Sequence, residues 1–405
     1  MDTEDNDVDR LFSLLNLSNE EKAMRGLLHT PGEIAQQPDT WASTFLTVQQ
    51  RRAEIEEFLQ LAGIDRESTE SKERPIVFLI GAGTSDYIGQ SLMHLFRRKW
   101  HCEVVAVAST DLLTGFEDYI LRGQKYLWIS FSRSGDSPEG VATLEKALDE
   151  CPDIFHLVVS CHAEGQMVRA YGKDRRVFGL LLDDAVNDRG LAMTSSFSNM
   201  VVCGQCLANI WDLEEYEGIL RALIASGERF LETSADCASA LAESPYTRAC
   251  FVGSASLKAV ARESSLKLLE MTAGRIATMA ESPLGLRHGP IAALNEETLF
   301  VCFVSSESTR QQYEVDLLRE IGSKGVVRTR VAVGIDCKRG FKGVAEHFLT
   351  PGLQISVPDL YRPPLDVIFG QLLGLFFSIR CNLKPDTPSP NGIISRVVQN
   401  VNIHS

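Results

Sequence analysis

Short apolar, β-branched runs that stop at Gly or Ser alternate along this chain with stretches whose apolar positions recur at helical spacing. PIVFLIGAGTS, from Pro75, and LWISFSRSGDS, from Leu127, are runs of the first kind, and EGVATLEKALDE, from Glu139, is of the second. Nearly continuous apolar strands separated by amphipathic helices predict parallel strands with helices on both faces, an α/β doubly wound sheet. The pattern occurs twice. Sliding the chain by 172 residues lays Gly81 on Gly253, LWISFSRSGDS on LFVCFVSSEST from Leu299, and the apolar helix around Met200 on the one around Leu372. Three registrations at one offset predict two tandem copies of one module, residues 41–217 and 218–382. Residues 1–40 read as an N-terminal helical arm. Three prolines in PDTPSP exclude helix there, so 383–405 reads as an extended tail.

Composition narrows the partners. The 405 residues carry a formal charge of −14, with 44% hydrophobic and 23% charged residues, as in an ordinary globular protein. Basic residues are dispersed, which argues against nucleic acid, since phosphate neutralisation needs a clustered Lys/Arg surface. A small anion needs only a few donors at one point and stays compatible. The opening MDTEDNDVDR lacks the basic and apolar regions of a secretory signal, so a cytoplasmic location is expected. Ten cysteines lie scattered in apolar stretches and read as buried small hydrophobes. Cys203 and Cys206 form a CxxC inside SFSNMVVCGQCLANIWDL; with no second pair and no His at ligand spacing, core filling is favoured over metal or redox chemistry. The apolar run from Val367 to Ile379 is shorter than the ~20 residues that span a bilayer and predicts a buried helix.

The strand-end loops carry the candidate chemistry, because ligands of such folds sit beyond the carboxyl ends of the strands. GAGTSDYIG is neither GxGxxG nor followed by GK[ST], so a nucleotide cradle is poorly supported. Thr84 and Ser85 nevertheless stand at a helix N-terminus, where free N–H groups favour an anion; a tight Gly turn with a Ser cap accounts for them equally well. SFSRSGDSPEG shifts the balance. Ser132, Ser134 and Ser137 with Arg133 precede a helix expected to start at Ser137 with Pro138 in its first turn. Several hydroxyls, a guanidinium and free amides suit the three acceptor oxygens of a phosphate. Further on, SLKAVARESSLKLLEMTAG predicts a helix closed by Gly274, on which Glu263, Lys267 and Glu270 share one face. By composition that stripe is a solvated run of ion pairs; in a cleft, Glu270 would be a proton carrier. His288 lies in a loop, MAESPLGLRHGP, and a lone loop His is usually just exposed.

In this order and spacing, GAGTS, SFSRSGDS, ESSLKLLE, AESPLGLRHGP and the tail PNGIISRVV resemble the double-domain sugar isomerase (SIS) architecture of the isomerase half of glucosamine-6-phosphate synthase. ESPLGLRHGP, ETLFVCFVSSESTRQQYEVDLL, EIAQQPDTW and NGIISRVVQ are similar to the AgaS branch, galactosamine-6-phosphate deaminase/isomerases also labelled tagatose-6-phosphate ketose/aldose isomerases. The resemblance implies that Thr84, Ser85, Ser132, Arg133, Ser134 and Ser137 hold a 6-phosphate, with backbone contacts to the sugar from Leu191 and Ala192. It implies Lys267 near the sugar hydroxyls, Glu270 moving a proton between C2 and C1, and His288 assisting ring opening in its own or a neighbouring subunit's site. The tail, Ile393 to Val398, would close over the substrate. Two departures stand out: Arg133 replaces a Gln of the synthase, and Arg396 replaces a tail Lys. A guanidinium stays protonated, so Arg396 can clamp an oxygen or steady negative charge but cannot form a Schiff base. The synthase's glutaminase nucleophile, a Cys after the initiator Met, is replaced by Asp2.

These features imply release of ammonia from an amino sugar 6-phosphate, most simply galactosamine 6-phosphate, without metal or other cofactor. Plain aldose–ketose isomerisation of a neutral sugar phosphate needs the same base and loops. A non-catalytic sugar-phosphate sensor is the third reading, though the acidic N-terminal stretch offers no DNA-reading helix-turn-helix. The partner is thus a small sugar phosphate, not nucleic acid or membrane, and a His supplied across an interface would require a homodimer or higher homo-oligomer.

Overall fold

The computed structural model describes residues 10–66, 74–334, 343–398 and 401–404. Five strands, β1 (Ile76–Gly81), β2 (Val104–Ala108), β3 (Tyr126–Ser132), β4 (Ile154–Ser160) and β5 (Val177–Leu181), form one sheet in the order β2-β1-β3-β4-β5. The second sheet contains β6 (Arg248–Gly253), β7 (Ala277–Glu281), β8 (Thr298–Phe303), β9 (Thr329–Val333) and β10 (His347–Leu349), in the order β10-β9-β8-β6-β7. All ladders are parallel. Read from β7, the second order repeats the first, so the same winding occurs twice.

The repeat holds at the level of register. Val77 pairs with Leu127 across β1–β3, and Ala249 pairs with Leu299 across β6–β8, each shifted by 172. The turns that follow also coincide: Gly83 has φ 58° and ψ −124°, and Ala255, 172 residues on, has φ 50° and ψ −123°. One glycine before each turn is required by space. A Cβ on Gly81 would lie 2.3 Å from the Ser85 carbonyl, and one on Gly253 2.3 Å from that of Leu257, because each helix starts directly against its strand end.

The principal helices are α1 (Gln37–Gln50), α2 (Thr84–Trp100), α3 (Pro138–Glu150), α4 (Ser195–Ala208), α5 (Leu213–Ala242), α6 (Ser256–Met271), α7 (Ser308–Lys324) and α8 (Pro363–Arg380). Helices α2 and α6 pack on each other, α4 packs on α2, and α8 on α6, so one continuous core runs through both modules. The expected boundary between Glu217 and Gly218 falls inside α5, an uninterrupted helix of 30 residues. Cys203 and Cys206 are buried on α4, and burial raises both thiols well above their usual range. The Val367–Ile379 run is the buried body of α8. No helix among the described residues is long and apolar enough to cross a membrane.

Candidate active site

A cavity of about 290 Å³ opens beyond the carboxyl ends of β1 and β3 and is lined by Ser85, Ser132, Arg133, Ser134, Ser137 and Arg396 among others. The sequence positions it as anticipated: Ser137 is the N-cap of α3, Pro138 is in the first turn, and the strand-end glycine of β1 lets α2 begin at Thr84. The Arg133 side chain is only 6% exposed. Its guanidinium donates to the carbonyls of Gly190 at 3.4 Å, Leu191 at 3.3 Å and Arg396 at 2.7 Å. Among the described residues no carboxylate pairs with it, and burial holds its pKa below the ordinary value. Asp188 and Glu33 act on it through space, but a buried cation hydrogen-bonded to carbonyls and in direct contact with no carboxylate leaves its charge available to an incoming anion.

The second module provides an internal control. Ser305 and Ser306 stand where Arg133 and Ser134 stand in the first, and their donors are already taken. The Ser305 N–H donates to Glu314 at 2.7 Å, and the Ser254 hydroxyl donates to the same carboxylate at 2.6 Å. Asp359 accepts from the hydroxyl of Ser305, and from the N–H and hydroxyl of Ser306 at 2.9 and 2.8 Å. The chain fills one strand-end site with its own carboxylates and leaves the other open.

Next to the open site lies a buried charge cluster. Helix α6 turns the Glu263–Lys267–Glu270 face inward against α2: Glu263 is 0% and Lys267 1% exposed, while Glu270 keeps 26%. The solvated stripe that composition suggests is therefore not what forms, because packing against α2 takes that face. Lys267 reaches Glu270 at 2.7 Å, the Thr84 hydroxyl at 3.0 Å and Glu263 at 3.4 Å, occupying all three ammonium donors. Burial pushes Glu263 up to about 8 against the pull of Lys267. Burial also presses Lys267 downward, but the two carboxylates outweigh it and hold the ammonium above its usual value. Thr84, expected to hold the phosphate, does not line the cavity: at the start of α2 its hydroxyl accepts from Lys267 and donates to Glu263 at 3.3 Å, next to Ser85, which does line it.

The remaining predicted residues are placed as follows. Leu191 turns its carbonyl to Arg133 and its N–H to the Asp386 carbonyl, and Ala192 is buried beside it. The Arg396 guanidinium donates to the Asp188 carbonyl at 2.8 Å and to Asn187 Oδ1 at 2.6 Å, so its side chain straps the tail to that loop rather than reaching Glu270. Val397 and Val398 line the cavity with Arg396, whereas Ile393 is 84% exposed. His288 lies in an exposed turn, and no hydrogen bond or ion pair among the described residues joins it to Thr84, Lys267 or Glu270.

Sequence reasoning missed three acids that shape the site. Asp188 accepts from the backbone N–H groups of Thr194, Ser195 and Ser196, capping α4. Asp386 accepts from those of Leu28 and Thr30, fastening the arm to the tail. Glu33 accepts from Arg189 and Gly190. The signal for Asp188 was an acid ahead of the TSS that begins α4; the other two act across the chain and leave no local pattern.

Comparison with known proteins places the sequence and the fold. No family model matches the chain. An AgaS homologue of Streptomyces coelicolor is 36% identical over 380 residues, 93% of this chain and 96% of the relative. The Escherichia coli D-galactosamine-6-phosphate deaminase AgaS is 33% identical over 376 residues, 93% and 95% of the two chains. Among solved structures, the E. coli tagatose-6-phosphate ketose/aldose isomerase superposes with a TM-score of 0.82 at 30% identity, covering 93% of this chain and 96% of its own. The C-terminal domain of the Francisella tularensis glucosamine-fructose-6-phosphate aminotransferase, at 17% identity and a TM-score of 0.70 over 90% and 98% of the chains, shares the fold. With such identity sustained across nearly the full length of its relatives, the chain belongs to the AgaS family of SIS-fold proteins.

Proposed function

We propose that the protein deaminates and isomerises an amino sugar 6-phosphate, converting galactosamine 6-phosphate and water to tagatose 6-phosphate and ammonia. The observation that carries this reading is the contrast between the modules: Arg133 and its serine loop lack an anionic partner, while the equivalent loop is closed by Glu314 and Asp359. The 6-phosphate binds there, with Ser85, Ser132, Ser134, Ser137 and the start of α3 as donors. Arg396 holds the tail over it.

Chemistry then proceeds beyond Thr84. Ring opening, assisted by His288 in its own or a neighbouring subunit's site, exposes C1 as an aldehyde. Glu270 removes the proton on C2 and returns it to C1, so C1 is reduced to an alcohol while C2 becomes an imine. Water adds to the imine and ammonia leaves, giving the ketose. Lys267 holds the Glu270 carboxylate in place beside the sugar, and its neighbours keep it a cation rather than a nucleophile. A Glu–Lys–Glu cluster in which Glu263 and Lys267 are fully buried is costly to maintain, which favours catalysis over a sensor. The test is product analysis by NMR after incubation with galactosamine 6-phosphate. Tagatose 6-phosphate with equimolar ammonia is expected; an unchanged substrate, or a ketose that retains nitrogen, overturns the assignment.

A further inference from the structure

Glu33 belongs to the arm, on the short helix Thr30–Ala35, and does not line the cavity. It is nonetheless 8% exposed, and among the described residues no cation pairs with it. Burial, with Asp188 nearby, lifts its carboxyl to about 7. An acid so disfavoured in its charged form is kept for what its oxygens accept. They accept the N–H of Arg189 at 2.5 Å and the N–H of Gly190 at 3.2 Å.

The same turn faces Arg133 with its carbonyls. Gly190 and Leu191 offer theirs to the guanidinium at 3.4 and 3.3 Å. A peptide plane joins the C=O of one residue to the N–H of the next and directs them to opposite sides, so Glu33 fixes the planes that lead into this turn, those of the Asp188 and Arg189 carbonyls, while the Leu191 N–H on the Asp386 carbonyl fixes the plane that carries the Gly190 carbonyl. The fit leaves no slack: a Cβ on Gly190 would sit 2.9 Å from the Glu33 Oε2 and 2.8 Å from the Thr30 Oγ1. Asp386 secures the arm's backbone at Leu28 and Thr30, at 2.7 and 2.8 Å, so the carboxylate is itself held in place.

We propose that Glu33 is a positioning residue for the phosphate site: with Asp386 it anchors the Arg189–Leu191 turn, whose Gly190 and Leu191 carbonyls aim the Arg133 guanidinium into the cavity. The inference rests on the sugar-phosphate reading above. It makes the arm part of the binding machinery of the first module, although the arm contributes nothing to the cavity wall.

The test is calorimetric titration of inorganic phosphate and of galactosamine 6-phosphate into wild type, E33A, E33Q, G190A, R133M and E33A/R133M, each first shown to be folded by its melting curve. E33A and G190A are expected to weaken both ligands about tenfold, the loss of one well-placed charge-assisted bond. E33Q, whose amide oxygen still accepts, stays within about threefold of wild type. The double variant binds no more weakly than R133M alone, and in turnover E33A raises KM while kcat holds. A merely structural role would lower the melting temperature and leave the affinity of the folded protein unchanged. Folded E33A and G190A that bind as wild type does, or losses from E33A and R133M that add, overturn the inference alone. Wild type that binds neither ligand overturns the sugar-phosphate reading and the inference with it.

Discussion

Replacing Arg133 with Met separates the residue's cost from its use. In the free protein Arg133 is 6% exposed and its guanidinium is hydrogen-bonded to three carbonyls, two of them beyond 3.2 Å, with Asp188 acting on it only from beyond ion-pair distance. Removing an ion from water costs several kcal/mol after relaxation, and charged hydrogen bonds at good geometry return about 1.5–3 kcal/mol each. The two sides nearly cancel, so a Met of similar length should change the stability of the free protein by no more than about 1 kcal/mol, in either direction. Phosphate binding should suffer far more, because even one charge-assisted bond at about 1.5–3 kcal/mol corresponds to a loss of about ten- to about 150-fold. Thermal melting with and without ligand reads both. At a concentration of a hundred times the wild-type Kd, galactosamine 6-phosphate stabilises wild type by about 2.7 kcal/mol; with Kd raised a hundredfold, only about 0.4 kcal/mol remains. A free R133M protein that melts far below wild type and keeps the full ligand shift would refute the reasoning.

Four further perturbations follow from the same geometry. Glu270→Gln should lower turnover by about a hundred- to ten-thousandfold, the usual worth of a general base, while calorimetry still detects substrate; an active variant removes Glu270 from the mechanism. Lys267→Met leaves Glu263 and Glu270 without their shared cation and should cost about 3–5 kcal/mol in urea unfolding; a loss below about 1 kcal/mol would contradict the burial of the cluster. Burial raises Glu263 to about 8 in the folded protein, so the native state holds that proton more tightly than the unfolded chain does. Its contribution to stability is therefore greatest in acid and declines as pH rises from about 4.5 to about 8, by at most about 1.4 kcal/mol per pH unit. Glu263→Gln lacks this decline, and unfolding curves of the two proteins that stay parallel from pH 5 to 8 would contradict it. Gly81→Ala forces a Cβ to 2.3 Å from the Ser85 carbonyl and should abolish phosphate binding or folding; full activity would contradict the tight strand-to-helix turn.

The architecture was legible because it is written locally. Apolar runs ending at Gly81 and Gly253, and serines at the N-terminus of α3, are patterns within a dozen residues, and the offset of 172 survives in the strand register itself. Burial was not legible. Glu263, Lys267 and Glu270 have the spacing of a surface ion-pair stripe, and only the packing of α6 against α2 turns them inward. The contacts of Glu33 and Asp386 join residues more than 150 positions apart and leave no periodic trace. Nor did the repeat reveal that its second site is closed, since that depends on Glu314 and Asp359, contributed from α7 and the turn before α8.

The most direct measurement follows ammonia release from galactosamine 6-phosphate, unphosphorylated galactosamine and glucosamine 6-phosphate, with wild type and E270Q side by side. Release by wild type that requires the 6-phosphate, favours the galacto sugar and vanishes in E270Q is the expected result. Equal release from the unphosphorylated sugar, or undiminished release by E270Q, would contradict a phosphate site in the first module serving a base on α6.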